Sequence, residues 1–193
     1  MALRDGEQPL TGLIQVDDAY LGGERPGMGG RGSPNNVPIV EAVSTNDESH
    51  PMAVKLSRIA GFTFEAIAAW ARANLTPGSD ARGDGLACFA GVIDTGFAHS
   101  YVVVGKRKPR EMPQFIGVSS GLGNLKTVSS GAYKSFKFGK YASQHLGAFC
   151  YRFNRRAHPK TLMRDLFSHA ATAAPTRERQ IRGIAEVHDS LIR

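Results

Sequence analysis

Two aspartates 67 positions apart, Asp17 and Asp84, are the residues of this chain best suited to chemistry. Asp17 stands in Val16-Asp17-Asp18-Ala19-Tyr20-Leu21-Gly22-Gly23, and Asp84 in Gly83-Asp84-Gly85. Carboxylate oxygens are hard ligands, and a few of them brought together hold a divalent cation such as Mg2+ while it keeps several waters. Two further polar groups follow. Gly123-Asn124-Leu125-Lys126 reads as a polar turn, and Tyr151-Arg152-Phe153-Asn154-Arg155-Arg156 reads as an aromatic-rich helix with a cationic end. Separated acids followed by clustered cations suggest a metal-dependent site that works on a polyanion.

The charge supports that reading. Residues 1–133 hold 12 Lys/Arg against 13 Asp/Glu, and residues 134–193 hold 12 against 4. The second part therefore carries the whole +7 of the chain. Cations near phosphates release condensed counterions, so this asymmetry fits contact with nucleic acid, or else a solvated helical surface. Lys106-Arg107-Lys108 forms a second basic stretch. Arg152, Arg155 and Arg156 either meet phosphates or cap a helix C-terminus, where cations stabilise the dipole. No apolar run approaches the roughly 20 residues of a membrane span. Cys88 and Cys150, the only cysteines, make no scaffold or metal motif and read as buried thiols of a reducing cytoplasm. His99 and His145 read as packing or surface histidines.

These residues need elements to position them. Alternation through Leu13-Ile14-Gln15-Val16 predicts a first strand ended by Gly22-Gly23, with a Gly- and Pro-rich loop over 25–36. Val37–Val43 and Ala53–Ile59 predict two more strands in an antiparallel meander. Thr63 is a candidate N-cap for a helix to about Leu75, with Trp70 on its core face. A short fourth strand from Asp80 to about Asp84, a short helix over Ala87–Gly96 and a fifth strand over Tyr101–Val104 come next. The stripe Phe138, Tyr141, Ala142, Leu146, Phe149, Phe153 predicts a strong helix, and another spans about Thr161 to Ala173. The predicted organisation is an α/β core over 1–133 and a basic helical part over 134–193 packed on it. Three antiparallel strands, helix, strand, helix, strand and then helices is the element order of an RNase H-like fold, a mixed sheet of about five strands flanked by helices.

Several landmarks occur together: Val16 to Glu24, Ser57-Arg58-Ile59-Ala60-Gly61-Phe62, Asp84-Gly85-Leu86-Ala87-Cys88-Phe89, Gly123 to Lys126, Tyr151 to Arg156, and Ala185-Glu186-Val187-His188. In their order and spacing they resemble the bacterial insertion-sequence transposases of the ISXO-like group, a branch of the DDE recombinases. The resemblance runs from about Leu10 to His188. It implies cleavage and transfer of DNA strands at two Mg2+ (or Mn2+) ions, roughly 4 Å apart in such sites. Asp17 and Asp84 are the implied metal ligands, on neighbouring strands, with Asp18 on the opposite face of its strand and outside the ligand set. The implied third ligand is a Glu or Asn on a helix, with a Lys or Arg seven residues later on the same face. Seven before Lys126 is Ser119, in Gly117-Val118-Ser119-Ser120 where the family usually has Trp-Val-Asn-Thr. Asn124 is the other candidate, so the implied catalytic set is Asp17, Asp84, Asn124 and Lys126. Gly131-Ala132-Tyr133-Lys134 stands where the family has Gly-Thr-Tyr-His, and no cysteine cluster of the kind that makes a zinc ribbon precedes Asp17.

The implied partners are double-stranded DNA, as transposon ends and target, and further copies of the chain in a synaptic complex, with no membrane. The implied location is the bacterial cytoplasm, at the nucleoid. Lys106, Arg107, Lys108, Arg152, Arg155 and Arg156 are the implied DNA contacts. Two other readings stay open: a catalytically inactive remnant that still binds DNA, and an RNase H-like nuclease put to another use.

Overall fold

Residues 8–22, 36–96, 98–101, 112, 115–131, 138–175, 177, 178 and 182 are described by a computed structural model. Strand β1 (Leu13–Leu21) sends Ile14 and Val16 into one core cluster and Leu21 into another, as period-two side-chain alternation requires. β2 (Val37–Thr45) is buried along almost its whole length because helices cover both faces of the sheet there. β3 (Pro51–Arg58) completes an antiparallel meander, in which Asp17 lies opposite Glu41 and Glu41 opposite Leu56. β4 (Asp80–Gly83) pairs parallel with β1, and β5 (Ala98–Tyr101) parallel with β4. The mixed sheet has the order β3-β2-β1-β4-β5.

On one face lies α1 (Phe64–Asn74), which starts where Thr63 Oγ1 accepts the Ala66 N–H at 3.2 Å. Its Ile67, Trp70 and Ala71 bury against Ile14, Val16, Val40 and Ala42, joined by Phe89 and Val92 of a 3-10 helix over Ala87–Thr95. The other face is covered by α2 (Ile116–Gly131) and α3 (Phe138–Asn154). Val118 and Leu125 of α2, with Leu146, Phe149 and Phe153 of α3, pack on Ile39, Val43, Val54 and Leu56. α4 (Pro159–Thr172) buries no residue and meets α3 through Tyr151 Oη and His169 Nδ1, 3.2 Å apart. Among the described residues no helix is long and apolar enough to cross a membrane.

β3 is an edge strand, and α3 runs antiparallel along it. Arg58, at the end of β3, donates to the Gly139 carbonyl near the start of α3. Asn154, at the end of α3, accepts the Val54 N–H at 2.7 Å and donates to the Val54 carbonyl at 3.1 Å. It thereby occupies the N–H and C=O of Val54, two of the row of groups that an edge strand would otherwise present.

The structure corrects one expected element. Gly123-Asn124-Leu125-Lys126 is not a turn but the middle of α2. Four glycines lie within α2, and at two of them the missing side chain lets the helix approach the sheet. A Cβ on Gly117 would lie 2.7 Å from Gln15 Oε1, and one on Gly121 would lie 1.9 Å from Glu41 Oε1. Tertiary contact overrides the poor helix propensity of glycine here. β5 is described at Ala98–Tyr101, ahead of the expected Tyr101–Val104. Residues 102–104, Lys106, Arg107, Lys108 and Lys134 lie outside the described residues.

Candidate active site

The parallel register Leu13↔Asp80, Ile14↔Ala81, Gln15↔Arg82 carries β1 and β4 side by side. Two residues further along each chain are Asp17 and Asp84, so the same offset that pairs the strands brings the acids together. Asp84 Oδ1 accepts the Leu86 N–H at 3.1 Å, and Gly85 takes φ +90°, a left-handed turn that suits glycine. This turn ends β4 and fixes the aspartate at its tip. Asp17 Oδ1 accepts the Asp18 N–H at 2.9 Å.

One carboxylate oxygen from each of Asp17, Asp18 and Asp84 lies within 4.8 Å of the other two, and all three residues are half-buried. Asp18 therefore joins the group, against the expectation from strand alternation. Alternation sets the direction of Cβ, but beyond Gln15 strand β1 has no β4 partner, so carboxylates from either face of β1 reach Asp84 just past the end of the shorter strand. Three carboxylates this close repel one another when all are ionised. A hard divalent cation offsets that repulsion, and an all-oxygen donor set suits Mg2+ or Mn2+ better than a softer metal.

Beside this rim sits a carboxyl group the sequence reading did not single out. Glu41, opposite Asp17 on the same face of the sheet, is fully buried beneath α2. Burial first, and then the charge of Asp17, push its carboxyl from an ordinary 4.5 up to about 9, while the Leu122 backbone N–H favours the charged form slightly. That N–H does not meet hydrogen-bond geometry, and neither carboxyl oxygen of Glu41 has a hydrogen-bond partner. A single acid inside Val37-Pro38-Ile39-Val40-Glu41-Ala42-Val43 was its visible signal, because charged residues are rarely buried without a partner. Gln15 is a second buried polar group on this face. Its Oε1 accepts the Val118 N–H at 3.2 Å in the first turn of α2, satisfying a donor that the helix itself leaves free.

On α2, Ser119 is half-buried, while Asn124 and Lys126 are exposed. Ser119 and Lys126, seven residues apart, lie on one side of the helix, and Asn124 points about 160° away from Lys126.

The cations at the end of α3 divide in two. Arg152 is exposed. Arg155 lies over the Tyr151 ring, 3.8 Å from its centroid, and donates to the Tyr151 carbonyl at 3.2 Å. Arg156 lies 3.9 Å over Phe153, donates to the Phe153 carbonyl at 2.8 Å and reaches the Pro51 carbonyl at the start of β3. Both occupy carbonyls that the helix terminus leaves free, with partial burial holding the Arg156 pKa below its usual value.

The sequence profile of the ISXO2-like transposase domain family matches residues 9–154. That span contains Asp17, Asp18, Glu41, Asp84, the whole sheet and helices α1 to α3. No curated protein matches the chain.

Proposed function

The chain belongs to the ISXO2-like transposase domain family, and from that premise we propose that it is an RNase H-like catalytic domain for metal-dependent DNA strand cleavage and transfer. The observation that carries this reading is the meeting of Asp17 and Asp18 of β1 with Asp84, just past the end of the parallel strand β4. Asp17 and Asp84 would hold the cation pair, with Asp18 as a further carboxylate on the rim. Divalent ions at such a site lower the pKa of an attacking hydroxyl and stabilise the leaving oxygen of a phosphodiester.

The protein's own part is positioning. β1 and β4 fix the two aspartates by their pairing, and the turn at Gly85 holds Asp84 at the rim. Gln15 seats the first turn of α2, which carries Ser119 and, one face over two turns, Lys126. Lys126 is the candidate to meet a phosphate near the cluster, and Asn124 a candidate contact further round the helix. Arg152 and the Lys106-Arg107-Lys108 stretch extend a cationic path for duplex DNA, while Arg155 and Arg156 contribute charge from the helix end they cap. Further copies of the chain would bring two DNA ends together.

The test is strand transfer of a labelled oligonucleotide carrying a transposon end into plasmid DNA, with Mg2+ or Mn2+. Joining that is lost in Asp17→Asn and in Asp84→Asn supports the proposal. Hydrolysis without joining would favour a nuclease. One observation favours a second reading, an inactive DNA-binding remnant: Ser119, a weak neutral ligand, stands where the family's helix usually supplies an Asn. That reading expects salt-sensitive DNA binding and no metal-dependent product.

A further inference from the structure

A buried carboxyl group with neither oxygen hydrogen-bonded is rare in native proteins, and each case calls for a specific cause such as a bound ion. Glu41 is such a group, with 0% of its surface exposed and both oxygens unpartnered. Its place is also specific. It is the cross-strand partner of Asp17 on the face covered by α2, at a separation typical of directly opposed side chains. Asp17 is the charge that acts on it most strongly. Gly121, one helical turn after Gly117, leaves the space in which Glu41 Oε1 lies, so the helix is shaped to admit this side chain.

Asp17, Asp18 and Asp84 form one group of close oxygens, and Glu41 is not a member of it. A single ion therefore does not take all four acids. Two ions roughly 4 Å apart can share one bridging carboxylate. We infer that Glu41 supplies the carboxylate for a second divalent cation, which Asp17 shares with the first, and so fills from strand β2 the ligand position that Ser119 on α2 serves poorly. This rests on the proposed metal-dependent reading and names the residue that would complete it. Ordered water beneath α2 is the competing cause of an unpartnered carboxyl, and it makes the opposite prediction for metal binding.

The experiment counts Mn2+ bound to the full chain by electron paramagnetic resonance, with affinities from calorimetry, in the absence of DNA. Wild type is expected to bind two Mn2+ ions with the broadened signal of a coupled pair. Glu41→Gln, nearly the same shape, is expected to bind one, with affinity for the second reduced at least tenfold and the coupled signal gone. Glu41→Met, which keeps the volume but no oxygen, should behave alike. Thermal unfolding in EDTA checks that both variants fold. Unchanged Mn2+ number and affinity in Glu41→Gln and Glu41→Met overturns the inference and leaves the three-aspartate site standing. Loss of the second ion in Glu41→Met alone would also overturn it, since side-chain shape and not the carboxylate would then be responsible. No Mn2+ binding by wild type, or binding indifferent to Asp17→Asn and Asp84→Asn, sinks the metal-dependent reading itself and the inference with it.

Discussion

Replacing Asn154 by alanine asks whether the Tyr151–Arg156 run holds a helix against a sheet edge. Asn154 makes two hydrogen bonds to one residue, accepting from Val54 N at 2.7 Å and donating to Val54 O at 3.1 Å. Val54 is fully buried, so truncation leaves a backbone N–H and C=O of an edge strand without protein partners. Each lost bond is worth about 1 kcal/mol net, and stranding a buried group costs about 1–3 kcal/mol. Water reaching part of the gap brings the expected loss to about 3 kcal/mol. For a chain of this size that lowers Tm by roughly 6–12 °C. Thermal unfolding followed by circular dichroism, with urea titration for ΔG, measures it. Asn154→Asp, which keeps the acceptor and loses the donor, should fall between wild type and Asn154→Ala. If Asn154→Ala unfolds within about 1 °C of wild type but loses DNA affinity, the clamp is not what this residue is for, and the reasoning fails.

Three other outcomes are expected. In EDTA, Glu41 keeps its proton in the folded state up to about pH 9 but loses it near 4.5 when unfolded. Its contribution is fully present below pH 4.5 and falls as pH rises toward 9, by about 3 kcal/mol between pH 4.5 and 7; urea titrations across pH should show Glu41→Gln flattening that decline and gaining stability at neutral pH. Gly121→Ala should lose about 1–3 kcal/mol because its methyl group meets Glu41 Oε1, and much of that loss should vanish in the double variant with Glu41→Ala, read as a double-mutant cycle of unfolding free energies. Arg152→Ala should leave Tm within about 1 °C because the residue is exposed, yet weaken DNA binding and reduce the slope of log K against log salt by about 0.9 if it meets one phosphate.

Much of the frame was legible along the chain because it depends on local pattern. Ile14 and Val16 announce a strand, Thr63 announces a helix start, and the Phe138–Phe153 stripe announces the helix that covers β3. Asp17 and Asp84 were legible as a pair only through the order of motifs around them. What stayed hidden depends on contacts between distant segments. α2 is helical although its glycines argue locally for a loop, since Gly117 and Gly121 let the helix settle onto Gln15 and Glu41. Asp18 joins the rim because β4 and its pairing with β1 stop short of it, which alternation alone does not encode. The sequence left Arg155 and Arg156 open between phosphate contact and helix capping, and the structure sets both against aromatic faces and helix-end carbonyls. The sequence by itself determined which residues are apolar, which are acidic and in what order they come. Only the tertiary structure decided which acids share a rim and which lies buried under a helix, because strand register and helix seating set distances that no local spacing specifies.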